Sequence, residues 1–210
     1  MSSIIYRNAF LLATFAIICT GAVALINQIT QPIIAEQEEK ALLSTIDQLI
    51  PASLYDNNII QSCFIIQDDK LLGKGVQQKV FVAKKDKLPV ALMLESSTFK
   101  GYSGEIKLAI GIFENGTLAG VNVLHDNETP GLGDKIQTKK SNWITVFKGK
   151  TYQPSEDKRW EVKKHGGDID AFTGATISPR AVTLAVRDAL IYFQKHRDFL
   201  FNQPANCGEK

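Results

Sequence analysis

The segment best suited to chemistry is Asp170-Ala171-Phe172-Thr173-Gly174-Ala175-Thr176-Ile177-Ser178-Pro179. Two hydroxyl-bearing threonines flank two small residues, and a helix-start signal follows at once. Ser178 is a good N-cap, and Pro179 suits the first helical position because its missing N–H would be unpaired there anyway. A helix N-terminus gathers unpaired amides and the positive ends of the peptide dipoles, so it attracts phosphate. Gly174 and Ala175 let a bulky group approach the backbone. Thr176 in that place could hold a phosphate or be joined to one. The same residues also fit an ordinary loop ahead of a capped helix, and spacing alone takes the argument no further.

A second segment, His125-Asp126-Asn127-Glu128-Thr129-Pro130-Gly131-Leu132-Gly133, combines a histidine and an acid with a turn. Pro130 and the two glycines permit a tight backbone path. Gly131-Leu132-Gly133 is not a dinucleotide fingerprint, since no third glycine follows and no helix pattern opens there. His125 with Glu128 has no Ser or Cys nucleophile motif nearby and lacks the paired-His spacing of helical zinc enzymes.

Together the two segments carry a resemblance. Asp170-x-x-Thr173-Gly174-Ala175-Thr176-x-Ser178 resembles the flavinylation motif of the FMN-binding domain family. The second segment is similar to that family's His-x-x-Glu-Thr-Pro-Gly-Leu-Gly loop. The family includes the G subunit of Rnf-type electron-transport complexes and the C subunit of the sodium-translocating NADH:quinone reductase, and the short chain favours the former. The resemblance implies that a flavin transferase esterifies the FMN phosphate to Thr176. Thr173 then occupies the first Ser-or-Thr position, and Gly174, Ala175 and Ser178 complete the cofactor-binding core. It also implies His125 and Glu128 as hydrogen-bonding neighbours of the isoalloxazine, Thr129 as a polar contact and Leu132 as an apolar wall. Thr176 is then an acceptor, not a catalytic nucleophile. Asp168 and Asp170 could bind a cation, but read better as loop acids that help the transferase recognise the site. The implied function is a covalent-FMN electron relay, not an independent catalyst. Its implied setting is an ion-translocating complex of a bacterial inner membrane, with other membrane subunits as partners and the flavin domain in the periplasm. A membrane-tethered docking domain without flavin needs the same anchor and sheet but does not need Thr176.

The anchor is the run from Ala9 to Ile26, which carries no charge and is long enough to cross a bilayer as a helix. A cleaved signal peptide competes, because Ala22-Val23-Ala24 has the small-x-small form. Against it, the run is long for a signal peptide and continues to Ile26. Ile18 before Cys19 disfavours a lipoprotein. Arg7 precedes the run and no Lys or Arg follows it until Lys40, which keeps the N-terminus cytoplasmic. The expected organisation is a cytoplasmic N-terminus over 1–8 and a transmembrane helix over 9–27. An amphipathic connecting helix and linker cover 28–57, the FMN-binding domain 58–203, and a tail 204–210.

A chain of 210 residues with formal net charge +2 holds one domain with a core plus an anchor, and it argues against nucleic acid as a partner. Lys139-Lys140 and Lys163-Lys164 read as solvated surface. No Cys-x-x-Cys exists, which disfavours an iron–sulfur cluster or zinc ribbon. Cys63 and Cys207 would face an oxidising compartment and could pair, though sequence does not give their separation. Cys63, inside an apolar segment, reads as a core residue.

The spacing of Leu42, Leu43, Ile46, Leu49 and Ile50 predicts a helix over Gln31–Ile50, ended by Pro51. Strands are expected at Ile59–Ile66, Val80–Val82 and Val90–Leu94. A hairpin of Glu105–Phe113 and Thr117–His125 should turn at Asn115-Gly116. Alternation along the second of these strands puts His125 in phase with its apolar face. Trp143, Phe147, Tyr152 and Trp160 read as core. A last helix is expected from Pro179 to about Leu200, with Val182, Val186, Ala189, Leu190 and Phe193 facing inward. The expected fold is α+β, a mostly antiparallel twisted sheet packed on helices after one transmembrane helix.

Overall fold

A computed structural model describes residues 2–207. It divides into two compact units, Met1–Leu43 and Ser44–Lys210. Helix α1 spans Ser2–Leu49 without a break. Within it, Ile5–Gln31 has a mean hydropathy of 2.5 and none of the window is buried, so by length and composition it can cross a membrane. Thr14 and Thr30 donate their hydroxyls back to the carbonyls of Phe10 (2.9 Å) and Ile26 (3.0 Å), which satisfies these polar groups within the helix.

The second unit is built on a five-stranded sheet: β1 Cys63–Ile66, β2 Gln78–Lys85, β3 Leu88–Thr98, β4 Ile106–Phe113 and β5 Leu118–Asp126. The order is β1-β2-β3-β4-β5 and every pairing is antiparallel. Helix α2, Ile177–Asn202, packs on β3 and β4. The expected inward residues Val182, Val186, Ala189, Leu190 and Phe193 are all buried there, with Leu92, Leu94, Leu108 and Ile110 of the sheet in the same core.

The opposite face is covered in part by the last turn of α1. Gly111 of β4 stands across from Gly120 of β5, and Leu49 lies over both. A Cβ at either glycine would come within 3.1 Å of Leu49, so the pair forms a shallow seat that only hydrogen side chains leave open. Ile46, Leu49 and Ile50 are buried, as the helical stripe requires.

Two expectations are corrected. β1 starts at Cys63, because Ile60–Ser62 turns as a 3-10 helix, with the Ser62 hydroxyl donating to Ile59 O (2.6 Å) and accepting from the Val82 amide (3.0 Å). β2 and β3 are longer than Val80–Val82 and Val90–Leu94 and meet at a two-residue turn, Asp86-Lys87, with φ of 51° and 67°. Cys63 is more than a core residue, for it is bonded to Cys207 across 144 positions with a Cα–Cα distance of 5.4 Å. The Asn206 and Cys207 amides donate to Cys63 O (2.9 and 3.3 Å), and Asn206 Oδ1 accepts from the Ile65 amide (2.8 Å).

The hairpin turn forms as expected. Asn115 Oδ1 accepts from the Thr117 amide at 2.9 Å, and Gly116 takes φ 84°. Phe147, Trp160 and Tyr152 are buried. Trp143 lies partly buried against Phe147 and Phe172, and its Nε1–H donates to Asp170 O at 2.6 Å, tying the loop before α2 to the core.

Candidate functional site

Residues 172–175 make a tight reversal. Phe172 and Ala175 form an antiparallel bridge, the Ala175 amide donates to Phe172 O at 3.1 Å, and Gly174 between them takes φ 82°. The chain therefore enters helical geometry earlier than the Ser178 signal implies. Thr176, at φ −81° and ψ −27°, is the residue before α2, and its side chain makes no capping bond. The first bond of the helix runs from the Arg180 amide to Thr176 O at 3.2 Å. Ser178 is thus not the N-cap, and Pro179 lies within the first turn, where a missing N–H still breaks no bond.

The Ser178 hydroxyl instead donates to Glu128 Oε2 at 2.6 Å. Glu128 is only 6 % exposed, and its other oxygen accepts from the Ser103 amide at 3.2 Å. One carboxylate thereby joins three distant segments: the β3–β4 loop, the turn after β5 and the start of α2. Gly101 and Gly133 pack against it, and a Cβ at either would fall 2.6–2.7 Å from a Glu128 oxygen. The turn itself is held by the Gly131 amide on Asp134 Oδ1 (2.7 Å) and the Leu132 amide on Thr129 O (3.1 Å).

Two clefts meet at Thr176. The first, of about 270 Å³, brings both sequence motifs together: Glu128, Thr129, Leu132 and Gly133 from one, and Gly174, Ala175, Thr176 and Ser178 from the other, with Tyr102 and Ile177 completing it. The second, of about 320 Å³, is lined by Lys100, Lys164, His165 and Arg180 beside Ile177, Ala181 and Leu184. Thr176 thus stands between a cleft that carries both motifs and one with Lys100, Lys164 and Arg180 at its edge.

Thr173 is exposed and lines neither cleft. Neither does His125, which is also exposed. A bulge near the end of β5 steps the register from Leu108–Val123 to Lys107–His125, leaving Leu124 as an extra residue. That residue reverses the alternation, so His125 leaves the apolar phase expected of it and shares the face of Lys107. The loop acids already have cationic partners: Asp168 with Arg159 at 2.7 Å and Asp170 with Lys163 at 2.8 Å. Among the described residues no cluster of His, Cys, Asp and Glu could hold a metal. Tyr102, Lys100 and Arg180 were not singled out by local pattern. The one available signal was the glycine-flanked Gly101-Tyr102-Ser103-Gly104 turn between two strands.

Arg180, on the rim of the second cleft, clasps Glu161 with its Nε and Nη2 at 2.9–3.0 Å. Burial alone would push the Glu161 carboxyl up. The Arg180 guanidinium and the Val162 amide outweigh that and hold it below the usual carboxylate range. The stability this contributes is complete above the pKa of an unfolded Glu, about 4.3, and is lost as pH falls through the lower folded value. Acid unfolding followed by circular dichroism should therefore show a shallower loss of stability below about pH 4 in Arg180→Gln than in the parent.

Comparison with known proteins gives the family. The FMN-binding domain family matches residues 101–191, which contain both motifs and the Tyr102 turn. The RnfG N-terminal region matches residues 1–49, the whole of α1. Proteins named as the G subunit of an ion-translocating oxidoreductase complex are similar from end to end. That of Shewanella loihica is 46 % identical over 207 residues, covering 99 % of this chain and 98 % of its own. That of Vibrio cholerae is 45 % identical over 207 residues, with 99 % of each chain covered. The Photorhabdus laumondii protein is 45 % identical over 204 residues, 97 % of each. With one family match on the anchor helix, another on the sheet, turn and helix that surround Thr176, and relatives alike over nearly their full length, the chain belongs to the FMN-binding family of G subunits of ion-translocating oxidoreductase complexes.

Proposed function

We propose that this chain carries FMN as a phosphoester on Thr176 and relays electrons as a membrane-anchored subunit of an ion-translocating inner-membrane redox complex. The observation that carries this reading is the position of Thr176, whose side chain belongs to both clefts at once. The residues fit the group. Leu132, Ile177 and Tyr102 offer apolar surface to a planar ring, and Thr129 offers a polar contact. Lys100 and Lys164 offer positive charge to a phosphodiester beside the N-terminus of α2. At about 270 Å³ the first cleft is smaller than the ~300–1,000 Å³ of pockets that bury a whole small molecule. It suits a tethered ring with one edge left open to an electron partner.

A bound flavin supplies one- and two-electron redox chemistry. The chain's own residues fix the point of attachment, exclude water from one face of the ring and neutralise the phosphate. The uncharged stretch 9–26 of α1 holds the subunit in the bilayer and has no group with which to move an ion, so translocation falls to partner subunits. The Cys63–Cys207 bridge, and Arg7 ahead of an apolar run that no Lys or Arg follows until Lys40, favour a domain on the periplasmic side. Attachment requires a flavin transferase as a maturation partner.

The test is the intact mass of the full chain from transferase-competent cells, with a denaturing gel of the same membranes viewed under ultraviolet light. A mass raised by one esterified FMN and a fluorescent band at the size of this chain are expected. A bare polypeptide mass and a dark band would favour a tethered docking domain.

A further inference from the structure

We propose that Tyr102 is the stacking partner of the isoalloxazine, held over the cleft by a turn that packs on Glu128. This rests on the flavin reading above and deepens it. Tyr102 is 69 % exposed, yet it lines the cleft that holds both motifs. A large aromatic ring left open to water on a well-tethered turn needs an explanation, since aromatic side chains normally bury their faces and keep only a polar tip wet. The apolar neighbours that share its cleft, Leu132 at 44 % and Ile177 at 48 %, are exposed as well. Three elements thus present uncovered apolar surface to one slot: the β3–β4 loop, the turn after β5 and the first residue of α2. A planar ring entering the slot would cover all three.

The turn that carries Tyr102 is fixed from below. Gly101 packs so closely on Glu128 that a Cβ would lie 2.6 Å from Oε1, and the amide of Ser103 donates to that same oxygen at 3.2 Å. Oε2 is held by Ser178, two residues after Thr176. The attachment point and the stacking ring are therefore referenced to the two oxygens of one carboxylate. Glu128 thus ties the turn and the helix start together beneath the cleft.

Flavin emission reads the contact directly. A tyrosine or tryptophan ring stacked on an excited isoalloxazine passes it an electron and recovers it without light, so emission is quenched with no net chemistry. Full-length protein from transferase-competent cells is measured in mild detergent and again after denaturation. Denatured emission counts the covalent flavin, and the native-to-denatured ratio reports stacking. The ratio should rise severalfold in Tyr102→Leu and stay low in Tyr102→Trp, and flavin anisotropy should fall in the Leu variant. Tyr102 is exposed, so neither change disturbs the core. A ratio and an anisotropy in Tyr102→Leu equal to those of the parent would overturn the assignment while leaving covalent flavin intact. Absence of denatured emission from the parent would remove the flavin reading itself.

Discussion

Thr176→Ala is expected to abolish covalent flavin completely while the protein folds and inserts as before. The effect is all-or-none because the threonine oxygen is the bridging atom of the proposed phosphoester, and alanine has nothing to replace it. Folding should be spared for reasons visible in the structure. Thr176 already has helical dihedrals, φ −81° and ψ −27°, which alanine adopts freely, and its side chain makes no capping bond to lose. The cost to stability should then fall below the ~1 kcal/mol of a working N-cap. The checks are flavin fluorescence on a denaturing gel, intact mass and the yield in washed membranes. Thr176→Ser keeps the oxygen and should keep some flavin. Fluorescence retained in Thr176→Ala would move the linkage elsewhere, with Thr173, exposed three positions upstream, the first residue to examine.

The second large effect concerns stability. Cys207→Ser should destabilise the domain by about 2–5 kcal/mol, near the upper end because the closed loop is long. The bridge joins positions 144 apart, so its removal frees almost the whole domain in the unfolded state. For a domain of this size the melting temperature should drop on the order of 10 °C. Thermal unfolding of the full chain in detergent, with and without a thiol reductant, checks this. Reductant should lower the melting temperature of the parent to that of the variant and leave the variant unmoved. Equal melting temperatures for oxidised parent and variant would show that the bridge contributes nothing.

What was legible in the sequence was local. The uncharged run of α1, the Asn115-Gly116 reversal and the apolar stripe of α2 each announce themselves within one continuous stretch of chain, and the structure follows all three. The Asp86-Lys87 turn is hidden because its second positive-φ position holds Lys87 where a glycine would announce the turn. Leu124 is an extra residue only relative to β4, so the bulge that turns His125 away follows from cross-strand register rather than from the alternation within β5. The start of α2 was misplaced by two residues because Ser178 looks like a cap, whereas its hydroxyl has a stronger acceptor in Glu128, fifty positions away. Tyr102 was missed for the same reason. Its importance comes from what the fold brings beside it, and no spacing within the Gly101–Gly104 turn encodes that.

The hydrogen bonds between residues 206–207 and β1 have a further consequence. β1 ends the sheet on one side, and its outward amides and carbonyls would otherwise be free to template a strand from another molecule. The tail occupies part of that border and the bridge locks it in place. Reduction would therefore do more than loosen the domain. It would open a sticky margin, so that protein held under reducing conditions should self-associate through β1 before it unfolds.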